Sequence, residues 1–244
     1  MITASDLSFT YRGNTSPALD NISFTIPKGA LVCLCGINGS GKSTLFSILS
    51  GLQSPTGGAL TVANTPSLGK ERQLRMQSAL VLQDADLQII GSTVAEDMLL
   101  AFPSDAPEAE ETCRAMAERF SLGQHWDSPV HALSYGQKRK LCLAVSLLTT
   151  PSLLLLDEPF SGLDYPAMLE MRSIMRDNKA HGLTQIVSVH DLEPVIDLAD
   201  SMLILHQGVL KGHDVPAVLL DSLLEYGIRP PYSWLRDKTI ASWE

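Results

Sequence analysis

Two short strand-like stretches open the chain, residues 2–9 and 21–26, separated by a turn-rich segment at 12–17. Pro27-Lys28-Gly29 is a turn, and residues 30–35 form a continuous apolar run of the kind that is buried on both faces. That run passes into glycines and then into a helix beginning near Lys42. Residues 54–58 read as a loop, and 59–63 and 79–83 as further strands. From 93 to about 122 the pattern turns helical, with Pro103 and Pro107 breaking it into pieces. Glu108, Glu110 and Glu111 follow Pro107, where the helix dipole favours acids. This stretch predicts a small helical lobe.

A further helix follows Gly136 and runs to 149. Strand 152–156, helix 166–181, strand 184–189 and helix 192–198 then alternate, which implies a parallel sheet covered by helices. Residues 201–205 and 209–211 predict two last strands around Gln207-Gly208. The tail from Asp214 holds a short helix and Pro230-Pro231. No internal repeat and no low-complexity linker interrupts the pattern.

Composition narrows the function. The 244 residues suit one large α/β domain or one with an inserted lobe, and 45% hydrophobic content supplies its core. A formal charge of −9 argues against a nucleic-acid partner, which requires clustered cations. Cys33, Cys35, Cys113 and Cys142 lack metal-site spacing and are expected to be buried, reduced thiols. The first residues do not resemble a signal peptide, and no apolar run approaches the ~20 residues that span a bilayer. Any membrane role is expected to come through a partner.

Three constellations carry chemistry. The first is Gly36-Ile37-Asn38-Gly39-Ser40-Gly41-Lys42-Ser43-Thr44, which fits GxxxxGK[ST] between a buried strand and a helix. Glycines let the backbone curl so that its N–H groups surround a phosphate, and the helix adds its positive end. Lys42 supplies a cation for the outer phosphates, and Ser43 a hydroxyl for Mg²⁺. The second is Asp157-Glu158-Pro159 after the run Leu153–Leu156, at the strand end where ligand sites lie in parallel sheets. Asp157 suits a Mg²⁺ contact, and Glu158 a general base on the attacking water. The plain alternative is an acidic helix cap.

The third is Leu133-Ser134-Tyr135-Gly136-Gln137 ahead of a helix whose first turn holds Lys138, Arg139 and Lys140. Three cations there have the wrong sign for the dipole, so an anion nearby would offset them. Ser134 and the free N–H groups form a second anion site. Its simplest use is to close on another subunit's nucleotide. The alternative is an exposed cationic turn with Ser134 as its cap.

In order, GINGSGKST, Gln83, LSYGQ, LLLLDEP, SGLD and His190 resemble the ATP-binding subunit of ABC transporters over about residues 2–213. The resemblance implies an α/β P-loop NTPase of ABC type. Its mixed-sheet core would carry an N-terminal antiparallel β lobe and an inserted helical lobe at about 90–150. The domain would span 1–220, with a short tail at 221–244. In that family the P-loop of one subunit and the signature segment of another sandwich ATP. By position, Tyr11 matches the residue stacking on adenine. Gln83 matches the glutamine that touches Mg²⁺ and the attacking water. Ser134, Gly136 and Gln137 match the signature, Asp164 the loop between the two sites, and His190 the switch histidine on the γ-phosphate. Taken singly, each also admits a plain role: Tyr11 a strand aromatic, Gln83 a strand-end hydrogen-bonder, Asp164 a turn residue, His190 a core histidine. The chain departs from the family at Tyr135, where the usual residue is glycine. A bulky residue there would restrict the backbone and crowd a partner's nucleotide.

Gln83 to Gln88, Ser92 to Asp97, His190 to Glu193 and Leu205 to Gly208 resemble the energy-coupling-factor importers of cobalt, nickel and vitamins, although Asp84-Ala85 stands where Asn-Pro is more usual. The resemblance implies an ATPase on the cytoplasmic face, peripheral to the membrane, with Mg²⁺ as cofactor. Its partners would be a second ATP-binding subunit and a membrane subunit contacting about residues 83–102. There Asp84, Asp86, Glu96 and Asp97 would suit a basic partner helix; a solvated acidic face is the alternative. A soluble, non-transport ABC ATPase and the motor of another transporter class are the competing functions.

Overall fold

The difference between the early mixed stretches and the later apolar runs produces two different sheets. The computed structural model describes residues 1–243. Its strands are β1 (Ile2–Phe9), β2 (Leu19–Ile26), β3 (Leu31–Cys35), β4 (Gly57–Val62), β5 (Thr65–Pro66), β6 (Ser78–Val81), β7 (Leu153–Asp157), β8 (Thr184–Val189), β9 (Ser201–His206) and β10 (Val209–Asp214). Its helices are α1 (Lys42–Leu49), α2 (Glu71–Gln77), α3 (Val94–Leu99), α4 (Ala109–Arg119), α5 (Tyr135–Leu148), α6 (Tyr165–Ala180), α7 (Pro216–Leu219) and α8 (Tyr232–Asp237).

The antiparallel sheet runs β2-β1-β4-β5. The larger sheet runs β10-β9-β3-β8-β7-β6; four of its five pairings are parallel and the β9–β10 edge is antiparallel, so it is mixed. The parallel strands are buried on both faces, and side-chain parity divides their residues between two cores. Leu31, Cys33 and Cys35 of β3, with Leu154 and Leu156 of β7, face the helical side. Val32 and Leu34, with Leu153 and Leu155, face α1 and the antiparallel sheet. All four cysteines are free and buried, as their apolar settings imply.

The predicted helical lobe forms from α3, α4 and α5, which pack on one another. The prediction for 192–198 is corrected: only a single 3-10 turn, Ile196–Leu198, forms there. Pro194 lacks the N–H that a helix through this segment needs. Helix α2 was not predicted, because Leu74 is its sole buried residue and it shows no apolar stripe. Toward the end of the chain Leu223, Ile228 and Trp234 join the helical-side core, and Trp234 Nε1 donates to Asp221 at 2.9 Å.

Candidate functional site

Strands β3, β6, β7 and β8 are parallel, so their carboxyl ends emerge at one edge of the sheet. The segment 36–43 leaves β3 at that edge and enters α1. Gly36 is packed so tightly that a Cβ would lie 2.3 Å from Ser40 Oγ and 2.4 Å from Leu205 O. Gly41 has φ 108°, and a Cβ there would meet Ala18 O at 2.8 Å. Two glycines are therefore required by space, one also by conformation. Gly41 caps α1 with no side-chain bond, so the first N–H groups of the helix stay available.

Lys42 is 6% exposed and its ammonium turns back on its own loop, donating to Gly36 O at 2.7 Å and Ile37 O at 3.3 Å. Burial lowers its pKa, while the carboxylates of Glu158 and Asp157 pull the other way. Ser40 Oγ is buried with no hydrogen-bond partner among the described residues. Tyr11 hydroxyl lies 3.0 Å from Thr44 Oγ1, which brings the aromatic ring to the rim of the loop. Tyr11, Asn38, Gly39, Ser40, Gly41, Lys42, Ser43, Thr44, Gln83, Asp157 and Glu158 line one cavity of about 350 Å³.

The acid pair closes one wall. Glu158 adopts φ 47°, a left-handed conformation that costs about 1 kcal/mol for a residue with a Cβ. Three neighbours hold it there. Its N–H donates to Ser188 at the carbonyl (3.2 Å) and at Oγ (3.0 Å), Gln83 Nε2 donates to Oε2 at 2.7 Å, and His190 Nε2 sits against Oε1. Ser188 Oγ in turn donates to Asp157 Oδ1. Sequence reasoning missed Ser188. A hydroxyl inside the apolar run Ile186–Val189, on the same strand face as His190, was the available signal, because a buried hydroxyl needs a partner.

Ser134, Gly136, Gln137 and Asp164 lie outside this cavity. Ser134 caps α5: its Oγ accepts from Gln137 N at 3.3 Å, and Gln137 Oε1 accepts from Ser134 N at 2.8 Å. Asp164 caps α6 by accepting from Ala167 N at 3.1 Å. A Cβ at Gly136 would meet nothing closer than 3.8 Å, so no contact inside the chain requires glycine there.

Two of the three cations of this turn are paired with carboxylates of the chain itself. Lys138 pairs with Asp86 at 2.5 Å and Lys140 with Glu170 at 2.7 Å, while Arg139 bonds Tyr135. Of the acidic face at 84–97, only Asp97 is withdrawn from the surface. Asp97 is buried and accepts from the N–H groups of Ile90 and Gly91, and Glu96 accepts from Ser92 N. Asp84, Asp86 and Glu96 stay exposed on that face, beside the exposed apolar Leu87, Ile90 and Leu100.

Residues 19–161 match the family described as ABC transporter. The chain is 35% identical to the cobalt import ATP-binding protein CbiO of Rhodobacter capsulatus, over 95% of this chain and 85% of that protein. It is 32% identical to the energy-coupling factor transporter ATP-binding protein EcfA1 of Methanospirillum hungatei, over 99% and 91%. The solved structure of cbiO1 from Clostridium perfringens, part of the ABC transporter complex cbiONQ, superposes with a TM-score of 0.80 at 27% identity, over 97% of this chain and 95% of that one.

Proposed function

The chain belongs to the ABC transporter family, and from that premise we propose that it is the ATP-hydrolysing subunit powering uptake of a small solute, a metal ion or a vitamin, through an importer of the energy-coupling-factor kind. The observation that carries the reading is the convergence of Gln83, Glu158 and His190 beside a loop whose lysine bonds its own carbonyls and whose buried Ser40 hydroxyl has no partner among the described residues. The ATPase domain is 1–220, with its helical lobe at about 90–150 and the tail from 221 docked through Trp234.

The donor set fits Mg²⁺. Ser43 hydroxyl, Asp157 carboxylate and the Gln83 amide oxygen are hard oxygen ligands, and magnesium with a nucleotide uses only one or two carboxylates. Among the described residues no group of three or more His, Cys, Asp or Glu exists to hold a metal by itself. When bound, Mg²⁺ offsets charge on the outer phosphate oxygens.

The chain's own residues do the rest. Tyr11 stacks on the adenine. The N–H groups from Gly36 to Thr44 surround the phosphates, and Lys42 trades its loop carbonyls for phosphate oxygens. Glu158 takes the proton of the attacking water, with Gln83 and His190 fixing its two oxygens. Ser134, Gly136 and Gln137 of a second ATP-binding subunit close the site and exclude water, and Asp164 links the two sites. The exposed apolar residues between 83 and 102 receive the membrane subunit. On this reading the chain sits on the cytoplasmic face, peripheral to the membrane; no helix among the described residues is long and apolar enough to cross one.

Calorimetric titration with ATP and magnesium, with phosphate release measured alongside, tests this. Binding and release are expected; neither heat nor phosphate, even with the cognate membrane complex added, would reject it.

A further inference from the structure

Tyr135 and Arg139 lie one turn apart on α5, and neither takes part in the chemistry proposed so far. Arg139 is 1% exposed although its guanidinium keeps its charge in proteins. It points that charge at neutral oxygens. Nη2 and Nε donate to Tyr135 hydroxyl at 2.8 and 3.2 Å, Nη2 lies 3.4 Å from Ser161 O, and Nη1 has no partner among the described residues.

A phenol has two lone pairs and one hydrogen. With the guanidinium filling the acceptor side, the hydrogen has one direction left, and it donates to Gln83 main-chain O at 3.2 Å. The neighbouring charge polarises the O–H and strengthens that bond. The ring is seated on the loop after the acid pair: a Cβ at Gly162 would come within 3.0 Å of Tyr135 Cε1.

Gln83 lies beyond the end of β6, so no strand partner fixes its carbonyl. Its side chain reaches Glu158 Oε2 at 2.7 Å. A continuous path therefore runs from Arg139 through the Tyr135 hydroxyl and the Gln83 main chain to the carboxylate of Glu158.

We propose that Tyr135, held by Arg139, is a positioning residue for hydrolysis, anchoring the main chain of Gln83 so that its amide stays on Glu158. This rests on the proposed roles of Gln83 and Glu158. It also gives the bulky residue at 135 a use inside its own subunit.

The test is steady-state ATP hydrolysis by the full chain with magnesium. Tyr135→Phe removes one oxygen and keeps the ring. We expect kcat to fall about fivefold, with KM for ATP changed less than about twofold, the size of one lost hydrogen bond felt only in the reacting complex. Arg139→Lys, which keeps the charge and gives up the fork, should give a similar loss and guards against misfolding of the first variant. In a Gln83→Ala background, Tyr135→Phe should have no further effect. A second fivefold loss there would mark a general structural role and overturn the proposal. Slow hydrolysis by Gln83→Ala with wild-type rates in both other variants would overturn it while leaving the site intact. Wild-type hydrolysis by Gln83→Ala would reject the role of Gln83, and the proposal with it.

Discussion

Helices α1 and α5 each carry a serine and a lysine near their N-terminus, yet their first turns are finished in opposite ways. At α1 the cap is a glycine without a side-chain bond, Ser40 Oγ is buried and unpartnered, and Lys42 leans on the carbonyls of its own loop. At α5 the capping box is complete and Lys138 and Lys140 each have a carboxylate. An N-terminus left unfinished inside a cavity announces an anionic ligand by itself. An N-terminus already finished does not, so the role proposed for the α5 turn rests on a second molecule approaching it.

Four substitutions sharpen or break that contrast. The largest effect belongs to Glu158→Gln, which keeps the shape of the cavity and removes the base: hydrolysis should fall about 100- to 1000-fold while ATP is still bound. Rates within a few-fold of wild type would remove Glu158 from the chemistry. Lys42→Ala comes next, with ATP affinity reduced about 100-fold for the loss of its charged hydrogen bonds. Unchanged affinity by titration would mean that the unfinished turn is not where phosphate sits. Ser188→Ala takes away the hydroxyl bridging Asp157 and Glu158. A drop of about tenfold in turnover is expected, because the strained Glu158 loses one of its restraints. The smallest is Ser134→Ala, which deletes a cap and should cost about 1 kcal/mol in thermal unfolding of the isolated chain. Where two subunits meet, a loss of turnover beyond that destabilisation is expected, and its absence would remove Ser134 from the shared site.

The unfinished turn was legible in the sequence, because its requirements are local: glycines at fixed offsets and a lysine at the mouth of a helix, within nine consecutive residues. The acid pair was legible for the same reason. What was not legible depends on distant partners. Lys138 meets Asp86 across 52 positions and Lys140 meets Glu170 across 30, so the cations looked unpaired along the chain. Asp97 looked like a surface acid until the fold turned the N–H groups of Ile90 and Gly91 onto it. In the fold, the parallel core showed itself through unbroken apolar runs, whereas α2, with one buried side chain, left no trace in the pattern.

The strand order also dictates when the enzyme can come into being. Strand β8 lies between β3 and β7, although it is made after both. A ribosome that has released residues 1–170 has already delivered the phosphate-gripping loop and the acids, but the two have no shared edge until Thr184–Val189 slots in between them. The cavity therefore assembles late in synthesis, and a chain cut short before that insertion would hold both of its walls with nothing to join them.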